Sequence, residues 1–306
     1  MKRLLVSYDG SHAADEAISD LIHAALPSDL EVTVMSVADV YLPPSPPGPE
    51  PERPPQMVQK MREKAAQEVA AQHGLAQRAC ARLQTLFPQW RCTPLAVGDS
   101  PGWALVQKAT EWKADLVLVG SHSHSRLQRL LLGSVAHKVA AEAPCSVRIG
   151  RLSPATAPPC VIVAVDGSAE SRTTLLEVAR RRWPAGTEFR LVTVVDPRLE
   201  TAVAWPGFAA ECFVQTQDES GREWISRMVE DSAKILFDAG LNVTNHTYDG
   251  DPKDVLLCVA DEWQAQTIFM GARGLNHGPH LTLGTVASAV ATRAACSVEI
   301  VRERPV

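Results

Sequence analysis

Two tandem α/β domains, each a five-stranded, doubly wound parallel sheet, are what this sequence predicts, and three observations carry that prediction. Short apolar runs alternate with amphipathic helical stretches along the whole chain. The order of these elements repeats, and a glycine-spaced loop recurs 151 residues on, at the same place in each repeat. The 306 residues are long for a single core and comfortable for two domains of about 150 residues each.

Each repeat opens on a strand that runs into Asp-Gly-Ser: Leu4 to Tyr8 before Asp9-Gly10-Ser11, and Val161 to Val165 before Asp166-Gly167-Ser168. An amphipathic helix follows, with Ala14, Ala17, Ile18, Leu21, Ile22 and Ala25 at helical spacing and Ser11 as its N-cap; its counterpart starts near Glu170 and ends near Arg182. A second strand, Glu31 to Val37 or Glu188 to Val195, ends at Asp39 or Asp196. There the repeats diverge. Positions 43–55 hold eight prolines, which rules out regular hydrogen-bonded structure and predicts an extended surface loop, whereas 197–216 carries Trp205, Phe208 and Phe213. A long helix (56–87; 218–239) leads to a third strand (Arg91 to Ala96; Asn242 to Tyr248), a turn, and a helix ending near Trp112 or Trp263. A fourth strand, Asp115 to Val119 or Gln266 to Met270, feeds the glycine loop. A helix and a last strand, Ser146 to Ile149 or Ser297 to Ile300, close each repeat. The Pro-, Ser- and Ala-rich stretch 152–159 is the join, so the expected domains are residues 1–150 and 160–306, with 151–159 as linker.

The second copy of the loop reads Gly271-Ala272-Arg273-Gly274, nine residues, then Gly284-Thr285; the first reads Gly120-Ser121-His122-Ser123, nine residues, then Gly133-Ser134. In an open parallel sheet a ligand sits beyond the carboxyl ends of the strands, where strand order reverses. If the first and fourth strands are neighbours, Asp9 or Asp166 and the glycine loop face one crevice. A carboxylate there accepts hydrogen bonds from an adenine amino group or a ribose hydroxyl, while backbone N–H groups of the loop and of the next helix receive phosphates. Taken alone, Asp-Gly-Ser reads as a turn with a helix cap, and Gly-Ser or Gly-Thr as another cap. The recurrence of the whole set in both repeats favours the binding role. The loop is neither a Walker P-loop nor a G-x-G-x-x-G fingerprint.

These residues resemble the universal stress protein family in its tandem, two-domain form with Rossmann-like domains. The resemblance covers nearly the whole chain: Asp-Gly-Ser after both opening strands, the G-x2-G-x9-G-[ST] loop of the second repeat, and the tracts Val135 to Ile149 and Val286 to Val301, including Ala143-Pro144-Cys145-Ser146-Val147. It implies that an adenine nucleotide, ATP or a related one with or without magnesium, contacts Asp166, Val194, Gly271, Gly274, Gly284 and Thr285. The counterparts in the first repeat are Asp9, Val37, Gly120, Ser123, Gly133 and Ser134. Ser123 departs from the pattern. Should its position need positive φ or close phosphate approach, a Cβ there costs about 1–2 kcal/mol and roughly tenfold in affinity; alternatively its hydroxyl donates to a phosphate. The second repeat is therefore expected to bind nucleotide more reliably than the first.

Composition narrows the partners. With 30 Lys and Arg against 35 Asp and Glu the net charge is −5, and no basic run or aromatic-basic platform is present, which argues against nucleic acid. The N-terminal apolar run breaks at Ser7-Tyr8-Asp9-Gly10, too early for a signal-peptide core, and no stretch reaches the roughly 18 apolar residues of a membrane span. A cytoplasmic protein without membrane association is expected. The seven cysteines form no C-x-x-C pair and read as reduced, small apolar residues. His122, His124, Arg126 and Arg129, and Arg273, His277 and His280 in the second repeat, read chiefly as solvated loop residues; no third ligand accompanies His122 and His124 for a metal.

The family resemblance also implies that the last strands of the two domains pair antiparallel as a pseudo-dimer, with further homodimerisation left open. Val147-Arg148-Ile149 and Val298-Glu299-Ile300 offer opposite charges at their centres for such a pairing. The leading functional expectation is a nucleotide-binding regulator of the stress response that changes conformation or partner. Hydrolysis is expected to be slow at most, since neither loop supplies a Walker lysine or an identifiable base. The competing readings are a nucleotide-independent scaffold or chaperone-like protein and, lacking any nominated nucleophile, an adenylyl-transfer enzyme. Trp224 and Trp205 are expected to pack the core rather than line a second cavity.

Overall fold

A computed structural model describes residues 1–40, 56–121, 132–152, 158–196, 221–275 and 283–303. The Pro-rich positions 43–55, Ser123 with His122, His124, Arg126 and Arg129, the aromatics Trp205, Phe208 and Phe213, and His277 and His280 lie outside them. In the N-terminal half the elements are β1 (Arg3–Ser7), α1 (His12–Asp20) with a 3-10 turn at Leu21–His23, β2 (Glu31–Ala38), α2 (Gln56–Leu86), β3 (Arg91–Gly98), α3 (Pro101–Glu111), β4 (Leu116–Gly120), α4 (Ser134–Glu142) and β5 (Ser146–Gly150). In the C-terminal half they are β6 (Cys160–Ala164), α5 (Ala169–Ala179), β7 (Glu188–Val195), α6 (Gly221–Asp238), β8 (Asn242–Asp249), α7 (Pro252–Glu262), β9 (Thr267–Gly271), α8 (Thr285–Arg293) and β10 (Ser297–Val301).

All ten strands join one sheet in the order β3-β2-β1-β4-β5-β10-β9-β6-β7-β8. Pairing is parallel within each half and antiparallel only where β5 meets β10. Strand order reverses between β1 and β4 in one half and between β6 and β9 in the other, so each half is doubly wound. The period-two side-chain alternation of the strands distributes them between layers. Leu4 and Val6 of β1 face a core under α1 and α2, while Leu5 faces the opposite layer. Val161 and Val163 of β6 likewise face α5 and α6, and Ile162 the other side. That other layer, built by α3, α4, α7 and α8, is one continuous apolar cluster across both halves.

Ser11 forms the cap expected of it, and Ser168 caps the matching helix, so both Asp-Gly-Ser segments do serve as turn and cap. Ser11 Oγ accepts from the Ala14 N–H at 3.2 Å and Ser168 Oγ from the Ser171 N–H at 3.1 Å, each satisfying an N–H the helix itself leaves unpaired. Trp224, 1% exposed, packs in the core with its ring over Gly167, where a Cβ would lie 2.6 Å from the indole. Gly10 and Gly167 adopt positive φ, +76° and +85°, in the turns after β1 and β6. The opening strands therefore end two residues before Asp9 and Asp166, not at the aspartates, because a left-handed glycine turn cannot continue a strand.

The join between β5 and β10 holds a buried ionic network. Arg148 stands directly opposite Glu299 in the register, and both side chains are fully buried. The Arg148 guanidinium donates to both Asp20 carboxylate oxygens (2.6 and 3.0 Å), to Glu299 Oε2 (3.1 Å) and to Thr267 Oγ1 (3.0 Å). Arg181 donates to both Glu299 oxygens and to the Ala24 carbonyl at 2.8 Å. Burial alone would lower the Arg148 pKa, but Asp20 and Glu299 outweigh it and raise it. Two arginines flank this network in a reciprocal way. Arg151 donates to the carbonyls of Ala291, in the last turn of α8, and of Cys296 just beyond it, and Arg302 to those of Ala140 and Ala141 in the last turn of α4 and of Cys145 beyond it, so each half neutralises a helix C-terminus of the other.

Candidate nucleotide site

A cavity of about 220 Å³ opens at the carboxyl ends of β6 and β9, at the point where strand order reverses. Its walls include Asp166, Val194, Gly271, Gly274, Gly284 and Thr285, the six second-half positions singled out in the sequence. The adjacency of β6 and β9 brings them together: Asp166 follows one strand and the glycine loop follows the other. β7 contributes Val192 and Val194, on one face of the strand, and Asp196 follows directly after it. Apolar walls flanked by a few polar groups are the usual make-up of a small-molecule pocket.

The helix that closes the cavity is left uncapped by side chains. Gly284 is the N-cap of α8, and no side chain caps it; Thr285, Val286 and Ala287, the first turn of the helix, line the cavity. Gly284 thus holds the cap position that the sequence offered as an alternative, without a side-chain bond to the first-turn N–H groups. First-turn N–H groups with the positive end of the helix dipole behind them are the kind of donors that suit an anion. The same lack of a side-chain cap holds at Gly133, the N-cap of α4 in the first half.

Glycine is required in the loop for reasons the sequence does not show. Gly271 and Gly120 are the last residues of β9 and β4 rather than loop residues. A Cβ on Gly271 would lie 2.9 Å from Glu170 Cβ, and one on Gly120 would lie 2.9 Å from the Ala13 carbonyl carbon and oxygen, so both glycines admit the start of a neighbouring helix. Gly274 does not take positive φ; a Cβ there would sit 2.5 Å from Asp166 Oδ2. It lets the loop close over the aspartate. Leu275 N–H then donates to Asp166 Oδ2 at 3.2 Å and Ser168 N–H to Oδ1 at 3.0 Å. Asp166 keeps a second lone pair on each oxygen for a ligand.

Of the first-half positions, Asp9 is exposed and accepts from the Ser11 N–H at 2.9 Å. Val37 lies on β2, packed against the same apolar layer as Val194. Gly133 and Ser134 open α4, and the Gly133 N–H donates to the Ser121 carbonyl, as the Gly284 N–H does to Ala272. Sequence reasoning missed Asp196, whose only signal was its place at the end of the second strand. It also missed Glu170, whose carboxylate accepts hydrogen bonds from both the backbone N–H and Nε of Arg273. Among the described residues no group of three His, Cys, Asp or Glu side chains is placed to hold a metal, and no helix is long and apolar enough to cross a membrane.

Comparison with known proteins agrees with this architecture. The profile of the universal stress protein family matches residues 1–151 and again 160–302. A universal stress protein from Archaeoglobus fulgidus DSM 4304 is 19% identical with a TM-score of 0.64, covering 98% of each chain. A functionally unknown protein from Pseudomonas aeruginosa PAO1 is 12% identical with a TM-score of 0.57, covering 98% of this chain and 92% of that one. An Arabidopsis thaliana family protein with AMP bound spans only 48% of this chain, at 17% identity and a TM-score of 0.33, and covers 93% of its own length. No curated protein matches the sequence. Two family matches over nearly the whole length, on two halves of the same doubly wound topology, establish that the chain belongs to the universal stress protein family in its tandem form.

Proposed function

We propose that the protein binds an adenine nucleotide, ATP or a related one, chiefly in its C-terminal half, and acts as a conformational or partner-binding regulator of the stress response. The observation that carries this reading is the convergence of Asp166, the β7 residues and the uncapped N-terminus of α8 on one cavity at the switch point of the sheet. Adenine and ribose would lie against Val194 and Asp166, and a phosphate against Gly284, Thr285 and the helix N–H groups. A magnesium ion, where one accompanies ATP, would be held mainly by the phosphates. Residues 1–150 and 160–306 are the two domains in this reading, and the cytoplasm is the expected compartment. Closure of the β5 and β10 edges against each other supports a pseudo-dimeric chain, and association with a second copy would use other surfaces.

The test is calorimetric titration of adenine nucleotides into nucleotide-stripped protein, alongside Gly284→Val and Ser123→Gly. One site per chain, abolished by Gly284→Val, is expected, with a second site gained in Ser123→Gly. Absence of binding to the folded wild-type protein by calorimetry and by a second binding assay would leave the nucleotide-independent scaffold as the better reading.

A further inference from the structure

The charges around the cavity are unlike those of a polyphosphate site. Among the described residues that line it, Arg273 is the one basic side chain, against the acids Asp166 and Asp196. Arg273 is itself occupied: its guanidinium Nε and its backbone N–H both donate to Glu170, whose side chain is 11% exposed and lies in the first turn of α5. The other basic residue near this pair, Arg302, is turned to the carbonyls at the end of α4. Of the loop's other described N–H groups, that of Ala272 donates to the Val301 carbonyl and that of Leu275 to Asp166. Two carboxylates of the chain thus stand where a glycine loop would otherwise offer N–H groups to phosphate. The first turn of α8 keeps its donors, which suit one phosphate group carrying limited charge.

We infer that Glu170 is a specificity-determining residue: by holding the Arg273 N–H and guanidinium it makes the cavity select nucleotides with a single phosphate over nucleoside polyphosphates. The inference rests on the adenine-nucleotide reading above and narrows it. Each phosphate beyond the first meets, among the described lining residues, a single cation already paired with Glu170 and the like charges of Asp166 and Asp196. A Glu170→Gln change keeps the length of the side chain and an oxygen for the Arg273 N–H but removes the charge. The guanidinium then becomes available to a second phosphate.

The experiment is a titration series with adenosine, AMP and ATP in magnesium-free buffer, on nucleotide-stripped full-length protein and on Glu170→Gln and Glu170→Ala, each checked for folding by circular dichroism. Wild-type protein is expected to bind AMP about tenfold or more tightly than ATP. Both variants should shrink that ratio at least tenfold while leaving adenosine affinity within about twofold. A role for Glu170 in merely anchoring the loop would instead weaken all three ligands together. Wild-type preference for ATP over AMP, or an AMP-to-ATP ratio unmoved in Glu170→Gln, would overturn the selection by Glu170 while leaving nucleotide binding in place. Failure of adenosine and AMP alike to bind folded wild-type protein would overturn the nucleotide reading and this inference with it.

Discussion

Replacing Glu299 by Gln should destabilise the protein far more than loss of an ordinary cross-strand ion pair. Glu299 is fully buried and accepts from two guanidinium groups, Arg148 across the join and Arg181 from the end of α5. Removing its charge leaves Arg148 with Asp20 and the Thr267 hydroxyl, and Arg181 with the Ala24 carbonyl and the partly exposed Glu177. Two cations and three anions become two and two, but the Glu177 side chain is 18% exposed, so inside the join two buried cations keep one buried anion. Breaking a buried pair in this way costs about 3–5 kcal/mol, where an exposed pair is worth about 0–1 kcal/mol. At about 2–4 °C per kcal/mol for chains of this size class, the melting temperature should fall by on the order of 10 °C. Urea unfolding followed by circular dichroism gives the free-energy change directly. The charge swap, Arg148→Glu with Glu299→Arg, adds a sharper requirement. An isolated pair would tolerate the exchange, but here the new glutamate would face Asp20 and the new arginine would face Arg181. The double variant should therefore be at least as unstable as either single one. Recovery to within about 1 kcal/mol of wild type, or a Glu299→Gln loss below about 1 kcal/mol, would refute the network as the source of stability at the join.

Gly167→Ala should cost roughly 2–5 kcal/mol, since it combines φ +85° with a Cβ 2.6 Å from Trp224, whereas Gly240→Ala, at φ +79° with nothing within 4 Å, should cost only about 1–2 kcal/mol; urea midpoints compare them. Gly274→Ala should reduce nucleotide affinity about tenfold or more by pushing the loop off Asp166, and its effect on unfolding free energy should largely vanish in an Asp166→Ala background that removes the clashing oxygen. Burial lowers the pKa of His23 despite the opposing influence of Asp20, and burial lowers that of His246 with Arg190 acting in the same sense. The unfolded chain then binds more protons, so stability should be full above about pH 6.5 and decline as pH falls through the lowered folded values; His23→Gln should shallow that decline in a pH series of melting curves.

The fold was legible because its signals are local and repeated. The opening strands, Ser11 and Ser168 as caps, and the long helices before β3 and β8 stand in the structure within a few residues of where apolar period and capping chemistry place them. The pairing of β5 with β10 was implied by the family resemblance, and the opposite charges at the strand centres, offered as support for it, do stand face to face. Neither revealed Asp20, Thr267 and Arg181 in the same network. Those partners come from sequence separations of 118 to 128 residues, and no local pattern ties an aspartate at the end of α1 to an arginine on β5.

At the candidate site the residues were legible and the reasons for some of them were not. A repeated glycine marks a place where a side chain is not accepted, but it does not say what would be struck. The sequence invites the ligand as the answer. In the structure the obstacle at Gly274 is the chain's own Asp166, and at Gly271 its own Glu170. This changes the meaning of Ser123. Were the first half to use its aspartate as the second does, serine in place of that glycine would act first on the fit between loop and Asp9 and only through it on a phosphate. Ser123→Gly should accordingly raise first-half affinity when Asp9 is present and add little in an Asp9→Ala background, where the obstructing carboxylate is already gone. A glycine that served phosphate approach alone would restore phosphate contacts whether or not the aspartate remained.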